Sequence, residues 1–141
     1  MSHRILVVDD DRPIADTLRR HFISSGFQSW SAESAEEALS LMSEADPDLV
    51  VTDICMPGMD GLDLLERIRE ATDEVDVIVI TAHEDMASAI RAMKAGAYDY
   101  LVKPLDLDQI DLLVQRCFRE RTLRNRVRRL SHEAAEPYAL D

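Results

Sequence analysis

Cysteine and glycine are scarce in this 141-residue chain. The two cysteines, Cys55 and Cys117, are far apart and lack a CxxC spacing, which provides no disulfide framework or zinc site and is typical of reduced thiols. The four glycines form no glycine-rich loop after the first apolar run, which argues against a dinucleotide-binding domain. No stretch reaches the roughly 18 to 20 apolar residues of a membrane span, and the N-terminus lacks the apolar core of a signal peptide. We therefore predict a cytoplasmic protein without a membrane partner.

Positive charge is also scarce over most of the chain. Residues 1–115 carry nine basic and 24 acidic side chains, a net charge of -15, whereas residues 116–141 carry seven arginines and four acids, a net charge of +3. Binding to phosphates requires a basic footprint, so we expect no direct binding of nucleic acid. An acidic body favours cations or basic partners, although most of these charges are typical of a solvated surface.

Short apolar runs alternate with longer segments of helical period. The runs are rich in β-branched residues and predict strands at 5–8, 49–52, 75–80 and 98–102, with a weaker candidate at 27–31. Helical spacing connects four sets of apolar residues between them: Ile14, Leu18, Phe22 and Ile23; Ala35, Ala38, Leu39 and Met42; Leu62, Leu65 and Ile68; Met86, Ile90 and Met93. With a fifth helix after the last strand, these segments make five repeats of strand and helix. Such repeats predict an α/β fold with a doubly wound parallel sheet that is covered by helices on both faces.

The fifth helix is predicted to start near Leu107 and to extend beyond the domain to about Leu130. Its inner apolar stripe lies within 110–117, and a second stripe, Leu123, Val127 and Leu130, restarts out of phase with the first. The second stripe is suited to a short two-stranded coiled coil, which allows a homodimer through the last helices. We predict one domain over 1–121, followed by a helical extension and a linker or tail over 122–141.

Polar side chains stand where the predicted strands end. They are Asp9, Asp10 and Asp11 after the first strand, Asp53 after the third, Thr81 after the fourth and Lys103 after the fifth. In a doubly wound sheet the ligand site lies at this carboxyl edge. Carboxylates suit Mg²⁺, whereas a hydroxyl and an ammonium suit a phosphoryl group, so the set predicts a carboxylate that accepts a phosphoryl group. Asp11 precedes Arg12 and Pro13, which favours capping of the next helix over binding of the metal.

Four motifs in order carry a specific resemblance to a known family: VVDD at 7–10, DICMPGMDG at 53–61, TAHED at 81–85 and GAYDYLVKP at 96–104. Over about residues 4–120 the chain resembles the receiver domain of two-component response regulators. It is most similar to the nitrogen-regulatory subfamily, whose receivers precede an ATPase that activates the alternative sigma factor. The resemblance implies a flavodoxin-like sheet of five parallel strands in the order 2-1-3-4-5.

The resemblance also implies roles for the residues of the acidic edge. Asp53 would be the catalytic nucleophile that takes a phosphoryl group from the phosphohistidine of a sensor histidine kinase. Asp9, Asp10 and Asp53 would bind Mg²⁺ as the cofactor, together with the backbone carbonyl of Cys55. The chain would not be a conventional enzyme, because it would catalyse only its own phosphorylation and dephosphorylation.

Further implied roles concern the later motifs. Lys103 would pair with the phosphoryl group, and the Thr81 hydroxyl would bond to one of its oxygens. Thr81 and Tyr100 would be the switch residues, and their movement would change the surface of the fourth helix, fifth strand and fifth helix. That change would control an output domain or partner, in a transcriptional response. The Lys103–Pro104 peptide bond would be cis.

Two alternatives stay open beside this function. An aspartyl-phosphate phosphohydrolase needs a second Asp two residues after the nucleophile as general acid, but that position holds Cys55, which counts against this class. A receiver within a hybrid kinase is the other alternative. The final letters, YALD at 138–141, are similar to the segment that enters the ATPase domain in the nitrogen-regulatory subfamily, so we expect an output domain beyond them.

Overall fold

Strands and helices alternate along the chain in the computed structural model, which describes the backbone of residues 3–139 and the side chains of 3–127 and Leu130. The strands are β1 (Arg4–Val8), β2 (Gln28–Ala32), β3 (Leu49–Asp53), β4 (Asp76–Thr81) and β5 (Asp99–Val102). The helices are α1 (Arg12–Ser24), α2 (Ala35–Ala45), α3 (Gly61–Ala71), α4 (Met86–Lys94) and α5 (Leu107–Ala139). A short 3₁₀ turn, His83–Asp85, precedes α4.

All five strands pair in parallel in the order β2-β1-β3-β4-β5, which confirms the predicted sheet. The strand order reverses beside β1, because the chain returns from β2 to the other side of β1 to form β3. A crevice opens at the carboxyl ends of the strands at such a reversal. The topology therefore favours a ligand site at the carboxyl ends of β1 and β3.

The central strands are buried along nearly their whole length, which explains why the sequence shows them as continuous apolar runs. Every residue of β3 and β4 is buried. The edge strand β2 is only partly buried, and this is why its signal in the sequence is the weakest. Alternate residues of β1 point to opposite faces of the sheet. Leu6 and Val8 belong to a core cluster with residues of α2, α3 and α4, and Ile5 and Val7 are fully buried as well.

Helix α4 does not bury the apolar residues that the sequence predicts for its inner face. Its buried residues are Ser88, Ala89 and Ala92. Ile90 is 54% exposed and Met93 is 40% exposed, although both belong to the apolar set found in the sequence. Small side chains let a helix backbone approach the sheet closely, so the larger residues are left on the outer face. The same correction applies to Ile23 of α1, which is 47% exposed.

The fifth helix is longer than predicted. It continues to Ala139 instead of ending near Leu130, because residues 133–136 are alanine and glutamate, which favour helix. Of its two predicted stripes, the inner one is buried at Ile110, Val114 and Cys117. The second stripe is exposed at Leu123, Val127 and Leu130. No helix in the described part of the chain is long and apolar enough to cross a bilayer.

Candidate functional site

The end of β1 supplies two acidic residues to the site and one helix cap. Asp9 is fully buried, and its Oδ1 accepts a hydrogen bond from the backbone N of Asp11 at 2.9 Å. Asp10 is exposed. Asp11 is the N-cap of α1 and accepts from the backbone N of Ile14 at 3.4 Å, which confirms the predicted capping role.

The end of β3 brings Asp53 to the same place. Asp9, Asp10 and Asp53 each offer one carboxylate oxygen, and these three oxygens lie within 4.8 Å of one another. The Oδ1 of Asp53 accepts from the backbone N of Cys55 at 3.2 Å. Its Oδ2 accepts from the Nζ of Lys103 at 3.0 Å, although 50 residues separate the two in the chain. The carboxyl ends of β1, β3 and β5 thus form one charged site.

The electrostatics of the site are set by burial and by crowded carboxylates. Burial is the largest influence on Asp9 and, with the negative charges of Asp53 and Asp10, raises its pKa from 3.8 to about 6. Burial lowers the pKa of Lys103, but the hydrogen bond and charge of Asp53 outweigh it and raise that pKa above its ordinary value of 10.5. Lys103 is therefore a fixed positive charge beside Asp53 at neutral pH.

One atom of the site lacks a partner. The Oδ2 of Asp9 is buried and accepts no hydrogen bond from the residues that the structure describes, which is costly for a carboxylate oxygen. Three converging carboxylates and one unpartnered buried oxygen fit a hard divalent cation such as Mg²⁺, which binds oxygen ligands. Within the described part of the chain, the donor set consists of carboxylates and contains no sulfur or imidazole ligand that would favour a softer metal.

The Thr81 hydroxyl does not point to Asp53 in this structure. It donates to the carbonyl of Asp85 at 3.0 Å and lies 3.3 Å from the carbonyl of Ala82, in the turn that precedes α4. Tyr100 is 36% exposed on β5, and its switch role stays a prediction. The Cys55 side chain is exposed, and the metal-binding role of its carbonyl also stays a prediction. The Lys103–Pro104 peptide bond is cis, as predicted.

Two structural features near the site were not predicted from the sequence. An ideal Cβ on Gly61 would lie 2.3 Å from the carbonyl oxygen of Asp53, so only glycine fits where α3 meets the end of β3. The hydroxyl of Ser88 donates to the carboxylate of Asp85 at 2.8 Å and ties the turn to α4. The D-x-x-S spacing from 85 to 88 could have predicted this hydrogen bond, because residues three apart adjoin on a helix.

The fold and the site together define a class of protein. Residues 5–115 match the family model described as the response regulator receiver domain, and the chain belongs to this family. Receiver domains of response regulators are signalling domains and act as phosphorylation-dependent switches in two-component systems.

Individual relatives point to the nitrogen-regulatory subfamily and confirm that resemblance. The chain is 37% identical over 132 residues to the regulatory protein AtoC of Escherichia coli, covering 94% of this chain and 28% of AtoC. It is 41% identical over 112 residues to the DNA-binding transcriptional regulator NtrC of Salmonella typhimurium, covering 79% of this chain and 24% of NtrC. The crystal structure of NtrX from Brucella abortus superposes with a TM-score of 0.87 at 33% identity, covering 92% of this chain and 30% of NtrX. The chain thus spans about a quarter of the length of these curated relatives.

Proposed function

We propose that Asp53 accepts a phosphoryl group from the phosphohistidine of a sensor histidine kinase. The observation that carries the proposal is the setting of the Asp53 carboxylate, which lies 3.0 Å from the Nζ of Lys103 and within 4.8 Å of two further carboxylates. An aspartate at the end of a strand more often caps a turn. A capping role does not explain why the Asp53 carboxylate is paired with a lysine ammonium and adjoins two further carboxylates. Membership of the receiver family supports the proposal.

In the proposed reaction a carboxylate oxygen of Asp53 attacks phosphorus. The new O–P bond forms as the P–N bond to the kinase imidazole breaks, and the imidazole keeps the electron pair and takes up a proton. The Lys103 ammonium, held charged by its raised pKa, offsets the charge on the transferred group. Mg²⁺, when held by Asp9, Asp10, Asp53 and the carbonyl of Cys55, supplies further positive charge to the phosphoryl oxygens.

The switch follows from the present position of the Thr81 hydroxyl. The phosphoryl group carries roughly -1.5 to -2 charges and three strong acceptor oxygens, and it replaces the single negative charge of the Asp53 carboxylate. Thr81 would turn its hydroxyl to one of these oxygens and release the carbonyl of Asp85, to which it now donates at 3.0 Å. The turn before α4 would then lose a hydrogen bond, and the exposed faces of α4, of Tyr100 and of α5 would change.

The output is proposed to be a transcriptional response in the cytoplasm. A relative that extends well beyond the aligned region carries the name DNA-binding transcriptional regulator. We propose that residues 1–121 are the receiver and that 122–141 lead to an output domain. Because residues 1–115 are strongly acidic, we propose that contact with nucleic acid belongs to that output domain and not to the receiver.

The proposal is tested by incubating the chain with Mg²⁺ and acetyl phosphate and measuring its intact mass. We expect addition of one phosphate to the unaltered chain and none to Asp53→Asn, because the amide is not a nucleophile of comparable strength. Asp73→Asn is the matched control, since Asp73 is an exposed aspartate in the loop after α3. Persistent labelling of Asp53→Asn would assign the acceptor to another residue.

A further inference from the structure

The guanidinium of Arg69 joins two loops at the amino edge of the sheet, opposite the acidic site. Arg69 lies near the end of α3, and its Nη1 donates to the carbonyl of Val75 at 2.6 Å, just before β4. Its Nε and Nη2 donate to the carbonyl of Gly96 at 3.1 and 3.0 Å, between α4 and β5. A guanidinium presents donors in several fixed directions, which suits it to bridge separate carbonyls. Arg69 therefore connects the two loops that lead into β4 and β5.

The C-terminal end of α4 is closed at the residue that Arg69 contacts. Gly96 has a φ of 104°, and the backbone N of Ala97 donates to the carbonyl of Ala92 at 3.0 Å across the end of the helix. An ideal Cβ on Gly96 would lie 3.0 Å from the Nε of Arg69, so the guanidinium packs directly on this glycine. Tyr98, two residues after Gly96, donates its backbone N to the carbonyl of Val77 at 2.7 Å. This end of α4 is thus fixed by the backbone on one side and by Arg69 on the other.

The N-terminal end of α4 is held differently. Asp85 is its N-cap residue, but the Asp85 side chain makes no capping hydrogen bond to the helix backbone. The carboxylate of Asp85 instead accepts from the Ser88 hydroxyl at 2.8 Å, and its carbonyl accepts from the Thr81 hydroxyl at 3.0 Å. Under the proposed function Thr81 turns to the phosphoryl group. Phosphorylation would therefore remove a hydrogen bond at this end of α4 and leave the contacts of Arg69 intact.

We propose that Arg69 makes the C-terminal end of α4 the fixed end of a pivot, about which the N-terminal end moves during switching. The inference rests on the proposed role of Asp53, and it adds that the motion is confined to the N-terminal end of α4. The buried side chains of α4 are Ser88, Ala89 and Ala92. They are small, so the helix can tilt without displacing a large interlocked side chain. Arg69 is a positioning residue, since the guanidinium acts through backbone carbonyls far from the reacting atoms.

Amide hydrogen exchange of the chain with Mg²⁺, with and without beryllofluoride as a phosphoryl analogue, tests the pivot. In the unaltered chain we expect beryllofluoride to change exchange at 84–90 by about tenfold or more and to leave 95–97 within about twofold. Arg69→Met should raise exchange at 95–97 by about fivefold or more before beryllofluoride is added, and beryllofluoride should then change both ends. Arg67→Met is the matched control, because Arg67 is an exposed arginine of the same helix, and it should behave as the unaltered chain.

Two results would overturn the pivot alone: unchanged protection of 95–97 in Arg69→Met, or a response of the unaltered chain at both ends of α4. No response of the unaltered chain at any amide would overturn the proposed function and the pivot together. If Arg69→Met does not fold, Arg69→Lys replaces it, with the same expected and contrary results, because lysine keeps the charge but cannot reach both carbonyls in one geometry.

Discussion

Asp9 is the side chain of the site whose negative charge destabilises the folded state most. Its carboxylate is fully buried, one of its oxygens has no hydrogen-bond partner among residues 3–127, and two other carboxylates adjoin it. Such a residue destabilises the metal-free domain whenever it is ionised, because the hydrogen bond from the backbone N of Asp11 and the charge of Lys103 do not offset its burial. Ionised Asp9 thus lowers the stability of the domain when no cation offsets its charge.

Replacing Asp9 by Asn should stabilise the metal-free chain at neutral pH. The pKa of Asp9 is raised from 3.8 to about 6 in the fold, so the folded state binds the proton more tightly than the unfolded state does. The stability contributed by protonated Asp9 is therefore complete below about pH 4 and lost as the pH rises through 6. By this linkage, ionised Asp9 costs about 2 to 3 kcal/mol at pH 7. Urea unfolding without metal should show a gain for Asp9→Asn of this order at pH 7 and a much smaller one at pH 4.

The same unfolding experiment also tests whether Mg²⁺ binds at Asp9. Adding Mg²⁺ should raise the free energy of unfolding of the unaltered chain, because the ion binds the folded state, and should have little effect on Asp9→Asn. The control Asp73→Asn should keep the full response to Mg²⁺. A metal-free Asp9→Asn that is less stable than the unaltered chain at pH 7 would contradict the electrostatic account.

At the scale of elements, the contact between α3 and β3 places Asp53. The first residue of α3 is Gly61, whose backbone N donates to the carbonyl of Ile54 at 2.9 Å. A Cβ at Gly61 would approach the Asp53 carbonyl oxygen to 2.3 Å and the Cα of Ile54 to 2.7 Å. Both are backbone atoms, which cannot move aside as the end of a flexible side chain can. The start of α3 and the end of β3 must therefore move apart to admit any side chain here.

Gly61→Ala should both destabilise the fold and slow phosphorylation of Asp53. We expect a loss of about 1 to 3 kcal/mol in the free energy of unfolding, as for other overpacked sites, and a lower rate of labelling by acetyl phosphate. Gly26→Ala is the control, because Gly26 has a φ of 98° but a Cβ there would meet nothing within 4 Å, at the opposite edge of the sheet. That variant should lose stability through backbone strain and keep the labelling rate. Equal labelling rates for Gly61→Ala and the unaltered chain would contradict the placing role.

The elements also show what the sequence could and could not predict. The central strands and the residues at their carboxyl ends were predictable, because burial on both faces produces continuous apolar runs and the sheet rule then places their ends together. The inner face of α4 was not predictable from hydrophobic periodicity, because alanine and serine were buried for their small size while Ile90 was left exposed. The direction of the Thr81 hydroxyl was not predictable either, since it depends on a turn formed only after folding.

At the scale of the whole molecule, the exposed stripe on α5 predicts self-association. Leu123, Val127 and Leu130 are each more than half exposed and are spaced by four and three residues, as in the seam of a coiled coil. Sedimentation velocity should show a dimer whose dissociation constant rises when Leu123 and Val127 are both replaced by Ser. The matched control is Leu107→Ser, which removes a 38% exposed leucine at the start of the same helix, on the face opposite the stripe. A concentration-independent monomer, with and without beryllofluoride, would contradict dimerisation through this stripe.

The most direct test of the central claim is to locate the phosphoryl group on the chain. Borohydride reduces an aspartyl phosphate to homoserine, so treatment of the chain after incubation with acetyl phosphate and Mg²⁺ marks the acceptor permanently. Peptide mapping by mass spectrometry should find homoserine at position 53 and aspartate unchanged at 9 and 10. Homoserine at position 9 or 10, or at any position other than 53, would contradict the claim that Asp53 is the phosphoacceptor.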